Sequence, residues 1–258
     1  MTGKAAEMKQ EFMRDALRVR IYETRAQMGA AAAADIASAG EGVLSQKAHC
    51  SMIFAAAPSQ SEVLAALAAS ELDWGRIHVY HMDEYIGLPA DAPQGFANFL
   101  RRALFEKVPL GRVCCLNSQE EPEKEAARYS GLLREDPADI VVMGVGENGH
   151  IAFNDPHVAD FNDLALVKPV KLDPVCRMQQ VHDGCFARLE EVPEMAVTLT
   201  VPALCRAGEA FCIVPAKTKA WAVKEMLEGR VDEHCPASIL RRHSKAALYL
   251  DRDSASLL

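Results

Sequence analysis

Apolar residues along this chain gather in short, near-continuous runs bounded by turn residues, at 51–57, 76–82, 139–145, 196–201, 210–214 and 246–250. A strand with one wet face alternates apolar with polar positions, and these runs do not. They predict parallel strands covered on both faces. Between the runs the spacing becomes helical. Phe96, Phe99, Leu100 and Leu104 recur at i, i+3, i+4 and i+8 and so share one helix face. Val63, Leu64 and Leu67 do the same within 61–70, as do Ala220, Val223 and Leu227 within 217–228. A long helical segment near the N-terminus contains the run Ala30 to Ala34, whose small side chains permit close packing. This alternation predicts an α/β fold, a doubly wound and mostly parallel sheet with helices on both faces. No repeat, linker or composition shift divides it, so 1–258 is expected to form a single domain. The stretch 153–192 departs from the pattern. Asn154, Pro156, Asn162, Pro169 and Pro174 interrupt short apolar pieces there, as in a lid-like excursion or binding loop.

Composition narrows the function classes. The chain has 258 residues, of which 50% are hydrophobic and 25% charged, enough for a sizeable core and unlike a disordered or fibrous chain. A formal net charge of −8 argues against a nucleic-acid partner, whose phosphates require clustered Lys and Arg. It leaves room for a small anionic ligand, which needs only a few placed donors. Cys50, Cys114, Cys115, Cys176, Cys185, Cys205, Cys212 and Cys235 are scattered without a CxxC pair, and several sit in apolar runs as small hydrophobes. Met1 to Arg20 lacks an apolar leader core, and no stretch reaches the roughly 18 apolar residues of a membrane span. The expectation is a cytoplasmic protein with no membrane partner.

In open α/β sheets, ligands sit beyond the carboxyl ends of the strands, which directs attention to three stretches. Met82 to Pro89 places two carboxylates, Asp83 and Glu84, where a strand ends. A carboxylate there acts as a general base if desolvation raises its pKa, although an acidic surface turn has the same sequence. In 144–156, Gly144, Gly146 and Gly149 let the backbone turn and approach a ligand. His150 follows, with Asp155 five residues on, a spacing that suits either an acid–base pair or a His that only satisfies a carbonyl. Ala57, Pro58, Ser59, Gln60 and Ser61 open a helix after a strand. Ser59 or Ser61 is a candidate N-cap, and such an end can hold phosphate. His78, His81, Asp83 and Glu84 resemble a metal cluster on paper. On a strand, however, His78 and His81 point to opposite faces, so no metal is expected there.

His81 to Pro89 (HMDEYIGLP), followed by Gly144 to Pro156 (GVGENGHIAFNDP), resembles the glucosamine-6-phosphate deaminase (isomerase) family, and the segment Val214 to Ala220 fits as well. The likeness spans most of the chain. Related lactonases carry a different continuation after Gly-His, closer to HTASLFP, and related regulators add a DNA-binding module for which this chain has no room. The resemblance implies opening of a sugar ring, transfer of a proton from C2 to C1, and hydrolysis of the resulting imine to fructose 6-phosphate and ammonia, without an organic cofactor. It assigns the C2 base to Asp83 and ring opening to His150, supported by Asn148 and Asp155. Lys219 and the loop Ala57–Pro58–Ser59–Gln60–Ser61 match phosphate-binding positions. Glu84, Gly146 and Gly149 belong to the same substrate-binding stretches.

The departures concern the substrate more than the chemistry. Some relatives have Asp at position 148 and Glu at position 155. Asn148 can hold the His150 ring but cannot raise its basicity as a carboxylate would. Pro58 donates no N–H, so the phosphate cradle falls to Ser59, Gln60 and Ser61. Arg177 stands near the place of the family's lid arginine, which the alignment gives to His182. A 6-phosphogluconolactonase-type hydrolase and a non-catalytic sugar-phosphate sensor are the competing readings. Relatives assemble in different ways, which leaves a homo-oligomer open.

Overall fold

The computed structural model describes residues 8–258, so the reading of Met1–Arg20 lies partly outside the described residues. Strands β1 (Met8–Arg14) and β2 (Leu17–Tyr22) form an antiparallel hairpin. Thr24 then caps α1 (Arg25–Leu44), its hydroxyl accepting the N–H of Gln27. The chain continues through β3 (Cys50–Phe54), α2 (Ser61–Ala68), β4 (Ile77–His81), β5 (Asp83–Tyr85), α3 (Phe96–Leu100), β6 (Arg112–Cys114) and α4 (Pro122–Glu135). It then forms β7 (Ile140–Met143), β8 (Val167–Lys171), α5 (Pro174–His182), β9 (Met195–Leu199), α6 (Val201–Cys205), β10 (Glu209–Val214), α7 (Ala220–Glu228) and β11 (Ala246–Asp251).

Eight strands make the main sheet in the order β1-β2-β11-β10-β7-β3-β4-β6, parallel except for the β1–β2 pair. Side-chain alternation splits each apolar run between two cores. Met52, Phe54, Ile140, Val142, Phe211 and Ile213 pack against Met28 and Ile36 of α1 and Val63 of α2. Ile53, Val141, Met143, Cys212 and Val214 pack on the other face against Tyr129 of α4 and Val223 of α7. Each such fully buried side chain contributes about 1.5–3 kcal/mol. The runs are continuous because both faces are covered.

Strand order reverses between β3 and β7. The chain leaves the carboxyl ends of these two neighbours in opposite directions and opens a crevice between them.

Two expectations need correction. The run 196–201 is not a parallel strand of the main sheet. Its core, β9, pairs antiparallel with β5 and β8 in a separate three-stranded sheet. A strand buried on both faces carries the same apolar run whichever way it points, so composition does not set its direction. Neither Ser59 nor Ser61 caps a helix. A short 3₁₀ turn over Pro58–Gln60 leads straight into α2, and no side chain caps either start.

The excursion 153–192 contains β8 and α5. All eight cysteines are free, five of them buried. No helix of the described residues is long and apolar enough to cross a membrane.

Candidate active site

The loops that leave β3, β4, β7 and β10 converge at the carboxyl ends of the sheet. They enclose a cavity of about 60 Å³ lined by Ala57, Ser59, Gln60, Asp83, Gly146, His150 and Lys219. Phe96, Phe153, Gln179 and Gln180 complete its wall. A larger groove of about 660 Å³ lies at the amino ends of the strands. Its four cations are already matched: Arg18 with Glu11, Arg20 with Asp35, Lys47 with Asp139 and Lys245 with Glu209. It therefore offers no free reactive group, and the chemistry belongs to the smaller cavity.

Strand alternation decides which of the two adjacent carboxylates enters the cavity. On β5, Asp83 and Tyr85 share a face and Glu84 takes the other. Asp83 is 6% exposed and its carboxylate has no hydrogen-bond donor among the described residues. Near it Tyr85, Phe96 and Phe153 pack ring against ring, with centroids 4.7–5.5 Å apart. Burial pushes the Asp83 pKa up to about 8, opposed by the charge of His81 and assisted by that of Glu84. A carboxylate tuned this way is a base matched to neutral pH.

Glu84 is turned away from the cavity. Its oxygens accept the N–H groups of Tyr85, Phe96 and Ala97 at 2.9–3.0 Å, which ties β5 to the start of α3. It holds structure there and does not line the substrate site, contrary to the expectation.

His150 is held from both sides of one nitrogen. Its Nδ1 lies 2.7 Å from Asn148 Oδ1 and 3.0 Å from Asp155 Oδ1. The Asn148 amide donates in turn to Asp155 Oδ1 at 3.0 Å. Two acceptors on Nδ1 assign a ring proton to that atom and leave Nε2 to face the cavity chemistry. Asn148 therefore positions the ring, while Asp155 supplies the carboxylate that Asn148 lacks. Burial raises the Asp155 carboxyl, but the His150 ring, the Asn148 amide and the Asp173 N–H outweigh it and hold the pKa below its usual value.

Glycine is required twice around this ring. A Cβ at Gly146 would meet His150 ring atoms at 2.1–2.3 Å, so the imidazole lies directly on the backbone. Gly149 has φ +84°, and a Cβ there would also meet Cys235 Sγ at 2.7 Å. Gly149 makes the turn and does not line the cavity.

Lys219 precedes α7, after a turn in which Ala216 holds φ 81°. It is 4% exposed, and its Nζ has no hydrogen-bond partner among the described residues. Burial lowers its pKa, partly offset by the charges of Asp183 and Glu147. A buried, unpaired ammonium aimed at a cavity suits an anion. Across from it, Gln60 Nε2 donates to Ile213 O at 3.1 Å and approaches Ser59 Oγ at 3.2 Å, leaving Gln60 Oε1 unpaired.

Pro58 and Ser61 fall outside the lining. Arg177 is also elsewhere: its guanidinium donates to the carbonyls of Leu189 and Val192 at 2.7–3.2 Å, tying α5 to the turn that follows. His182 is largely exposed beside Glu147, at 3.5 Å. Gln179 and Gln180 of α5 line the cavity instead, and they carry no signal in the sequence beyond their location in the weakly periodic excursion. Gln179 Oε1 accepts the Glu147 N–H at 2.8 Å, linking α5 to the loop that bears His150.

Comparison with known proteins finds relatives in both sequence and fold. The glucosamine-6-phosphate deaminase of Listeria innocua is 35% identical over 195 residues, covering 75% of this chain and 81% of that protein. The solved structure of a monomeric glucosamine-6-phosphate deaminase matches with a TM-score of 0.86 at 26% identity, covering 93% of this chain and 99% of the other. A 6-phosphogluconolactonase from Thermotoga maritima shares the fold, with a TM-score of 0.75 at 22% identity over 91% of this chain and 99% of that one. The model of the family described as glucosamine-6-phosphate isomerases/6-phosphogluconolactonase matches residues 23–249, and this chain belongs to that family.

Proposed function

We propose that the chain is an amino-sugar-phosphate isomerase/deaminase that converts glucosamine 6-phosphate, or a close hexosamine phosphate, to the ketose phosphate and ammonia. The observation that carries this reading is the pairing, in one cavity, of a raised and unpartnered carboxylate with a positioned imidazole. Its support from relatives is the 35% identity to a deaminase.

His150 Nε2 takes the proton of the anomeric hydroxyl and delivers one to the ring oxygen, opening the pyranose. Asp83 removes the C2 proton and returns it to C1. The electron pair left at C2 forms the C1–C2 double bond of the enolamine as O1 takes a proton from water. When C1 is reprotonated, the nitrogen gives a proton back to water and becomes the C2 imine. Water adds to that imine and ammonia departs. Asn148 and Asp155 hold the His150 ring during both transfers. Lys219 binds the phosphate with Ser59 and Gln60 and supplies the cation of this cradle, the other two being neutral.

The cavity of about 60 Å³ is small beside the ~300 Å³ or more of ordinary ligand pockets. Substrate therefore enters when α5 and its flanking excursion swing outward and carry Gln179 and Gln180 off the opening. The reading places the protein in the cytoplasm and treats 1–258 as one working unit.

The test is a substrate panel. Glucosamine 6-phosphate, galactosamine 6-phosphate and 6-phosphogluconolactone are offered to the same preparation and kcat/KM is compared. Turnover of an amino sugar with ammonia release is the expected result. Exclusive hydrolysis of the lactone would overturn the proposal in favour of a hydrolase, and tight binding without turnover would favour a sensor.

A further inference from the structure

At the amino ends of β3 and β4, across the sheet from the candidate active site, two histidines converge on one carboxylate. His49 Nε2 lies 2.9 Å from Asp136 Oδ1, and His78 Nδ1 lies 2.8 Å from Asp136 Oδ2. The three donor atoms sit within 4.8 Å of one another. The strand alternation that keeps His78 away from His81 is what turns it towards Asp136.

The carboxylate does not depend on the histidines for its hydrogen bonds. Ser51 Oγ donates to it at 2.5 Å and Tyr80 OH at 3.1 Å. If both imidazoles gave up their protons to bind a metal, Asp136 would keep these two donors. Metal-binding carboxylates are oriented by such outer contacts.

We propose that His49, His78 and Asp136 form a peripheral site for a borderline divalent cation such as Zn²⁺, built by the fold and separate from the catalytic cavity. Two imidazole nitrogens and one carboxylate oxygen suit zinc and its neighbours better than Mg²⁺ or Ca²⁺, which require mostly oxygen ligands. Solvent reaches the cluster through half-exposed His49, so water completes the coordination. The rings are now stacked, with centroids 4.0 Å apart and planes 18° from parallel, and a single ion cannot lie in both ring planes. Loading therefore requires one ring to turn. His78 is fixed on β4, opposite Ser51 of β3 and Arg112 of β6. His49 sits in the segment between α1 and β3 with its side chain 42% exposed, so the turn falls to that ring. A bound ion would clamp that segment, both strands and the end of α4 together.

A second group, His150, Asp155 and Cys176, also lies close together, but it belongs to the catalytic cavity and burial keeps the Cys176 thiol protonated, far above its ordinary pKa.

The test uses folded protein stripped with EDTA, titrated with ZnCl₂ by calorimetry and with CoCl₂ by visible absorption. One Zn²⁺ per chain is expected. Binding should weaken by about a hundredfold in His49→Ala and His78→Ala, and by about tenfold in Ser51→Ala. Cobalt should show no thiolate-to-metal charge-transfer band, and Tm should rise by about 5 °C or more at a hundredfold excess over Kd. No saturable uptake by wild type, uptake retained in both histidine variants, or a thiolate band would each overturn the site. None of these readouts depends on the catalytic assignment.

Discussion

Replacing Asp83 by Asn removes a buried carboxylate that the fold does not satisfy, so the variant should lose activity and gain stability together. The pKa of Asp83 rises from 3.8 in the open chain to about 8 in the folded protein. At pH 7 the unfolded group is ionised and the folded one is mostly protonated. The folded group therefore holds most of one extra proton, and carried over the roughly three pH units from 3.8 to 7 this amounts to about 4 kcal/mol of lost stability. The amide avoids this cost but brings unpaired polar atoms into the same site, at about 1–3 kcal/mol. A net gain of about 1–3 kcal/mol follows, equivalent to a Tm increase of roughly 2–10 °C in a chain of this size.

The sign of the pH dependence is fixed by the direction of the shift. A raised carboxyl pKa means that the folded protein binds more protons between about pH 4 and pH 8, so wild-type stability falls across that window. The Tm gap between Asp83→Asn and wild type should be smallest near pH 4 and widen up to pH 8. Over the same range wild-type kcat/KM should climb towards a plateau above about pH 8, as the base becomes ionised. The variant should lose about 10³-fold or more in kcat. Thermal melts at pH 4, 6 and 8 test the stability side. A gap independent of pH would refute the claim that Asp83 is held as an unpaired, desolvated carboxylate.

Two further variants probe the rest of the cavity. Lys219→Ala should raise KM for the phosphorylated sugar by about 10–100-fold, the worth of one charged hydrogen-bonded contact, with much less effect on kcat; steady-state kinetics would expose an unchanged KM. Gly146→Ala should displace the His150 ring, because the new Cβ would fall 2.1–2.3 Å from its atoms. A loss of about 10²-fold in kcat/KM is expected from such a misplacement, in a protein whose circular dichroism is unchanged.

The parts of the molecule that could be read from sequence are those where burial leaves a local mark. β3, β4, β7, β10 and β11 appear as apolar runs because Met52 and Ile53, or Val141 and Val142, face two different cores. β1 has a largely exposed surface, β5 and β6 are three residues each, and β8 contains Pro169 at the edge of the small sheet. These strands leave little periodic signal, since tertiary pairing rather than pattern defines them.

The site divides along the same line. Asp83, His150 and Lys219 lie on the segments that leave β4, β7 and β10, so topology places them at the crevice. Gln179 and Gln180 reach it only because α5 folds back over the opening, which no local pattern encodes. Side-chain chemistry alone does not separate Glu84 from Asp83, and β5 does so by putting them on opposite faces. Arg177 is drawn to the Leu189 and Val192 carbonyls by a turn that the sequence does not announce.

The central claim is that one cavity isomerises and deaminates an amino-sugar phosphate with its own side chains. The most direct measurement is of ammonia and fructose 6-phosphate released from glucosamine 6-phosphate, with wild type and Asp83→Asn assayed in parallel in EDTA. Equimolar products from wild type and none from a folded Asp83→Asn are the predicted result. Equal turnover by both proteins, or ammonia without the ketose phosphate, would contradict it.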